Sequence, residues 1–196
     1  ANKLVKDDAT RQKWNEAIAK QYPSDYRALN NMAQQAISKG DMAAAQNYLK
    51  QAANVNKNAS EVNTNLALMA LKSGDVAKAE TYLSKGTGSD TFKEVMGNLN
   101  IAKGNYTQAA SDLAGVNTNS AALAQILAKD YTSAKTTLSK IKNADATTSY
   151  LQAVLAARTG DSSALSSSLK NAIQQDGTLA ARAAKDLEFA KYANVV

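Results

Sequence analysis

The sequence predicts an all-α chain, a right-handed solenoid of about eleven helices stacked as antiparallel pairs. Three observations predict it. A pattern of fourteen residues is written five times, as "KGDMAAAQNYLKQA", "SGDVAKAETYLSKG", "KGNYTQAASDLAGV", "AKDYTSAKTTLSKI" and "TGDSSALSSSLKNA". Its turn marker recurs at Gly40, Gly74, Gly104, Lys129 and Gly160, at intervals of 34, 30, 25 and 31 residues. Only one proline and nine glycines punctuate 196 residues, which favours helices over a many-turned β fold.

Each copy has the same internal logic. Before the turn runs a stretch with helical apolar spacing, such as Leu66, Met69 and Ala70. The turn glycine can take positive φ and close that helix, and the Asp or Asn after it can cap the next. Beyond the turn, a small residue, a leucine four positions on and a small residue three further share one helix face. Ala45, Leu49 and Ala52 fill these places in the first copy, and Ala79, Leu83 and Gly86 in the second. Small residues on such a stripe let antiparallel helices approach closely, and the leucine fills the space between them.

The ends follow from the same pattern. Residues 5–21, with Trp14, Ala17 and Ile18 on one face, predict the second helix of an earlier repeat. Pro23 lies 17 residues before Gly40, where the proline ending that repeat would fall. The chain is therefore expected to start in mid-repeat and to be a segment of a longer protein. Leu179, Ala183, Leu187 and Phe189 predict a capping helix over about 178–192. The expected organisation is one solenoid domain, 1–196, with a half repeat at 1–23, repeats at 24–58, 59–89, 90–117, 118–144 and 145–176, and a cap and tail at 177–196. The serine-rich "SSALSSSLK" keeps helical phase through Leu165, Leu169 and Ala172, and a locally weak helix is expected there.

Composition narrows the function. Cysteine and histidine are absent, which removes disulfides, Cys/His zinc sites, cysteine nucleophiles and Ser-His-Asp triads from the possibilities. The net charge of +6 is spread evenly: residues 1–100 hold 13 Lys+Arg against 10 Asp+Glu, and residues 101–196 hold 10 against 7. Nucleic-acid binding is not expected, because phosphate contacts need a concentrated basic stripe. No apolar run is long enough to span a membrane. The carboxylate pairs Asp7-Asp8 and Asp186/Glu188 sit beside lysines and are expected on exposed faces, with no catalytic role. "DMAAA" and "DVAKA" read as caps, not metal loops, and "GTGSD" at 86–90 as a plain loop, since it follows a helix and lacks a lysine. No enzyme activity, cofactor or metal is expected.

With the turn glycine counted as position 15, small residues fall at positions 8, 20 and 27. They are Ala33, Ala45, Ala52 and then Ala67, Ala79, Gly86, followed by Gly97 and Ala109, Ala122 and Ala134, and Ala153 and Ala172. Val116, Ile141 and Leu165 are the larger exceptions. This pattern, over roughly residues 24–172, resembles the tetratricopeptide repeat, although the usual aromatic at position 4 and proline at position 32 are missing. The resemblance implies a protein-interaction scaffold whose first helices line a concave face through positions 2, 5, 9, 12 and 13. Those positions supply Arg27, Asn30 and Gln34, then Thr64, Leu68, Leu71 and Lys72, and Asn98, Ile101 and Tyr150. The expected partner is another protein or a peptide. The Lys and Asn that clamp a terminal carboxylate in some family members are replaced at positions 5 and 9 by Asn30 and Gln34, so that ligand class is not expected. The Ala/Asn/Ser/Thr/Lys-rich, cysteine-free composition suits a bacterial envelope protein, periplasmic or outer-membrane-associated, with a cytoplasmic location as the alternative. The alternative functions are a glycan- or small-ligand-binding module of an outer-membrane lipoprotein, with Tyr150, Tyr106 and Tyr131 as stacking candidates, and a structural spacer.

Overall fold

The computed structural model describes residues 7–192 and 194 and, among them, contains helices and turns but no strand. The elements are α1 (Asp8–Gln21), α2 (Tyr26–Ser38), α3 (Met42–Val55), α4 (Ser60–Lys72), α5 (Val76–Leu83), α6 (Asp90–Ala102), α7 (Tyr106–Asp112), α8 (Asn119–Leu127), α9 (Tyr131–Lys140), α10 (Ala146–Thr159), α11 (Ser162–Gln175) and α12 (Leu179–Ala183). A 3-10 helix, Leu187–Tyr192, follows. The chain forms two compact units, Ala1–Leu99 and Asn100–Val196.

The five turns are built alike. Gly40, Gly74, Gly104 and Gly160 have φ near +80°, and Lys129 has φ +63°. At each, the N–H of the following residue donates back five positions, from Asp41 to Ala36, Asp75 to Ala70, Asn105 to Asn100, Asp130 to Gln125 and Asp161 to Ala156, at 2.8–2.9 Å. This Schellman closure satisfies carbonyls that the ending helix leaves open. The same Asp then caps the next helix: Asp41, Asp75, Asp130 and Asp161 accept from the N–H three residues on. Two helices thus meet across a turn in which one residue serves both, its backbone N–H closing the first helix and its side chain capping the second. Lys129 is the strained member, because a Cβ disfavours the left-handed region.

The small-residue stripe is the seam. In the first unit Ala33, Ala45, Ala52, Ala67 and Ala79 are fully buried. Leu29, Met32, Leu49 and Val62 form one apolar cluster with Ala33 and Ala52, and Leu83, Val95 and Leu99 a second with Ala67 and Ala79. A Cβ on Gly86 would stand 2.6 Å from two atoms of the Phe92 ring, so a small residue is required there by contact. In the second unit Ala109, Ala122, Ala134, Ala153 and Ala172 are fully buried, and Leu165 shares one apolar cluster with the last four.

Two details differ from the expectation. The face of α1 that the unit buries runs through Asn15, with Ile18 and Ala19 half-buried, whereas Trp14 is 50% exposed and Ala17 is exposed. The helix is rotated so that Ala19, not Trp14, joins the apolar cluster of α2–α4. Near the C-terminus, residues 178–192 make α12 and the 3-10 helix in place of one continuous helix. Asp186 breaks the run: its carboxylate accepts from the Glu188 N–H at 3.0 Å, and its carbonyl accepts from the Phe189 N–H at 3.0 Å. The bend turns Phe189 inward, where it is 2% exposed.

Candidate functional site

In the first unit the candidate face is carried by α2, α4 and the start of α6. Two side-chain bonds hold α2 and α4 side by side, Asn65 Nδ2 donating to Asn30 Oδ1 at 2.8 Å and Tyr26 OH donating to Glu61 at 3.3 Å. Asn30 and Asn65 are buried, so each amide serves the other inside the seam. Thr64 is buried too, its hydroxyl donating to the Ser60 carbonyl at 2.8 Å. Neither Asn30 nor Thr64 is presented to a partner. Gln34 and Lys72 are exposed, while Leu68, Leu71 and Asn98 are half-buried. Arg27 is exposed and forked onto Asp25, whose carboxyl it holds below the usual range.

In the second unit Ile101 is half-buried against the cluster of Ala109, Leu113 and Ala121. Tyr150 is 4% exposed and belongs to the core. Its ring meets Phe189 edge to face at 5.5 Å, and the Arg182 guanidinium lies 4.9 Å above the ring centre. Its hydroxyl donates to Asp186. Burial and that carboxylate push the phenol well above its usual range. Tyr150 therefore supports the site as a buried anchor and offers no face for stacking.

Positions expected to face a ligand turn out to join neighbours. Position 5 is Asn30 in the first repeat, Asn119 in the fourth and Tyr150 in the fifth. Asn30 bonds to Asn65, Asn119 to both Thr148 (2.8 Å) and Asp145 (3.1 Å), and Tyr150 to Asp186. Each reaches forward into the next element. At this position in these three repeats the polar side chain joins its helix to a later segment, whereas Thr64, in the second repeat, bonds within its own helix.

The pocket the sequence reading did not assemble lies in the second unit, between α8, α10 and the C-terminal segment. Its volume is about 300 Å³. Leu123, Ile126 and Leu127 from α8 face Leu151 and Val154 from α10, with Leu179 from α12. The rim is polar and fixed. Arg158 forks onto Glu188 and also donates to the Ile126 carbonyl at 3.0 Å. Glu188 strengthens the hold on the guanidinium proton and pushes Arg158 above its ordinary value. Asp186 and Glu188, expected on an open face, are instead half-buried and engaged by Tyr150 and Arg158, because the chain bends at Asp186. The signal was available: the position count puts Leu123, Ile126 and Leu127 at positions 9, 12 and 13 of the fourth repeat. Their apolar character makes them indistinguishable in sequence from core.

Residues 36–95 match the family profile of the tetratricopeptide repeat. No curated protein matches the chain in sequence. Several solved structures are similar to it in fold. A tetratricopeptide repeat protein from Parabacteroides merdae is 13% identical with a TM-score of 0.61, over 86% of this chain and 72% of that one. PilW, a widely conserved type IV pilus biogenesis factor, is 17% identical with a TM-score of 0.64, over 93% and 89%. A thermophilic tetratricopeptide repeat protein from Thermus thermophilus is 18% identical with a TM-score of 0.61, over 87% and 98%. Residues 36–95 thus match the tetratricopeptide repeat by sequence, and the described chain shares the helical-repeat fold of these structures.

Proposed function

We propose that the chain is a non-enzymatic scaffold that holds another protein on its first-helix face, the concave face expected of such repeats. The observation that carries this reading is the pocket between α8 and α10. Half-buried Leu123 and Leu127 stand at its mouth inside a rim of ion-paired and hydrogen-bonded side chains. Apolar anchors ringed by fixed polar groups suit a leucine- or aromatic-bearing segment of a partner. In the first unit, Gln34, Leu68, Leu71, Lys72 and Asn98 remain the residues available for the same purpose, with Arg27 at the edge. Asn30, Thr64 and Tyr150 act behind them as supports. We place the protein in a bacterial cell envelope; the fold likeness to a pilus biogenesis factor supports this. Among the described residues no helix is long and apolar enough to cross a membrane.

The test is site-specific photo-crosslinking in cells of the source organism. Probes at Gln34, Leu71 and Leu127 are expected to capture one and the same protein, and probes at Lys50 and Lys170, exposed on second helices, are not. Leu123→Asp should abolish the capture at Leu127 without changing the helical circular-dichroism signal. Equal capture from second-helix positions would sink the assignment.

A further inference from the structure

On another face of α10, the helices α9, α10 and α11 enclose a second cleft of about 650 Å³. It lies where the second helix of the fourth repeat meets the helix pair of the fifth. The helix α9 has ten residues, and Ile141 occupies the position that carries alanine or glycine in the first two repeats. The floor is apolar, made by buried Leu138, Leu155 and Ala156. The walls are made of hydroxyls.

These hydroxyls have a fixed polarity. Thr136 donates to the Thr132 carbonyl at 3.2 Å, Ser139 to the Thr136 carbonyl at 2.7 Å and Thr159 to the Leu155 carbonyl at 2.9 Å. With each proton committed to its own helix, what each offers a ligand is an oxygen acceptor. Gln152 and Lys135 add donors. Lys135 on α9 and Asp161 at the start of α11 are the charged groups of the lining, and they cancel. Tyr131 adds an aromatic ring to the lining.

A ligand suited to this cleft is uncharged, rich in groups that donate and accept at once, and flat enough to lie on an aromatic ring. An anionic ligand would meet a single lysine offset by an aspartate. An alkyl chain would strip water from several hydroxyls at about 1–3 kcal/mol each. We propose that the cleft between α9, α10 and α11 is a carbohydrate site that takes a short neutral oligosaccharide. The site shares no lining residue with the α8–α10 pocket, so it stands or falls apart from the protein-binding reading.

The experiment is an NMR titration of the isotope-labelled full chain with maltotetraose, cellotetraose and the N-acetylglucosamine tetramer, each to on the order of 10 mM, which reaches weak millimolar affinities. At least one is expected to give saturable amide shifts centred on 131–139, 152–159 and 161–168. Thr136→Arg, at an exposed wall position, should weaken the binding at least tenfold while leaving the remaining spectrum unchanged. Tyr131→Phe, which keeps the ring, should retain it. The proposal is overturned by an absence of saturable shifts with all three sugars, by shifts that persist undiminished in Thr136→Arg, or by equal shifts with inorganic phosphate.

Discussion

The two units solve one problem in different ways. Each must fix its first helices side by side, at a seam lined with alanine. The first unit does so with a buried amide pair, Asn65 donating to Asn30 between α2 and α4, and with Tyr26 donating to Glu61. The second unit uses a capping box, an aromatic pair and a forked ion pair, all gathered around α10. An amide pair contributes geometry more than free energy, since the net gain of a buried hydrogen bond is about 1 kcal/mol. Phe189 adds a large buried apolar surface to the second unit, and the difference teaches that the 3-10 helix, through Phe189 against Tyr150, is part of what holds α10.

The largest test of that contrast is Phe189→Ala. Truncating a fully buried phenylalanine costs about 3–5 kcal/mol. Native-state hydrogen exchange is expected to show protection lost over α10, α11 and α12 and kept over α2 and α3. Equal loss in both units would erase the distinction. Next comes the amide staple. Asn65→Ala leaves Asn30 buried without its partner and is expected to cost about 1–3 kcal/mol, whereas Asn30→Leu with Asn65→Leu together should be close to neutral. A double-mutant cycle by urea denaturation that finds no coupling would show the bond to be incidental.

A smaller effect tests the capping box. Asp145 accepts from the Thr148 N–H at 2.9 Å, and Thr148 Oγ1 accepts from the Asp145 N–H at 3.1 Å. The Thr148 N–H is the main cause holding the Asp145 carboxyl below its usual range. A depressed carboxyl pKa means that the contribution is present above the unfolded value near pH 3.9 and disappears as pH falls through the lower folded value. Asp145→Ala should cost about 1–2 kcal/mol at pH 7 and almost nothing at pH 2, read from thermal unfolding. A cost independent of pH would assign the loss to packing. The smallest effect concerns the odd turn. Lys129→Gly relieves a left-handed residue and should raise stability by up to about 1 kcal/mol. A drop would mean that the lysine side chain contributes a contact of its own.

Much of this architecture was legible from spacing. The five Gly/Lys-Asp/Asn turns, the four Asp caps and the buried alanines lie where the fourteen-residue pattern puts them, because turn chemistry and helical period are local properties, while Asn105 makes no side-chain cap. The serine-rich stretch from Ser162 is helical throughout for the same reason. The candidate face was legible only in part. Position counting names Asn30 and Tyr150 as ligand-facing, but a polar group at that position satisfies itself on whichever neighbour comes within reach. Asn65 and Asp186 lie 35 and 36 residues further along the chain. No local rule reports that distance.

By itself, then, the sequence determined the helices, their turns and the seam along which they pair, since these follow from 3.6-residue periodicity, glycine's freedom at positive φ and the Asp cap. Tertiary structure decided which polar residues became staples and which stayed open, and it placed the α8–α10 pocket and the α9–α11 cleft. Those outcomes depend on how far one helix stands from the next. The size of a few side chains, Ile141, Leu165 and Phe189 among them, sets that distance only once the whole unit has packed.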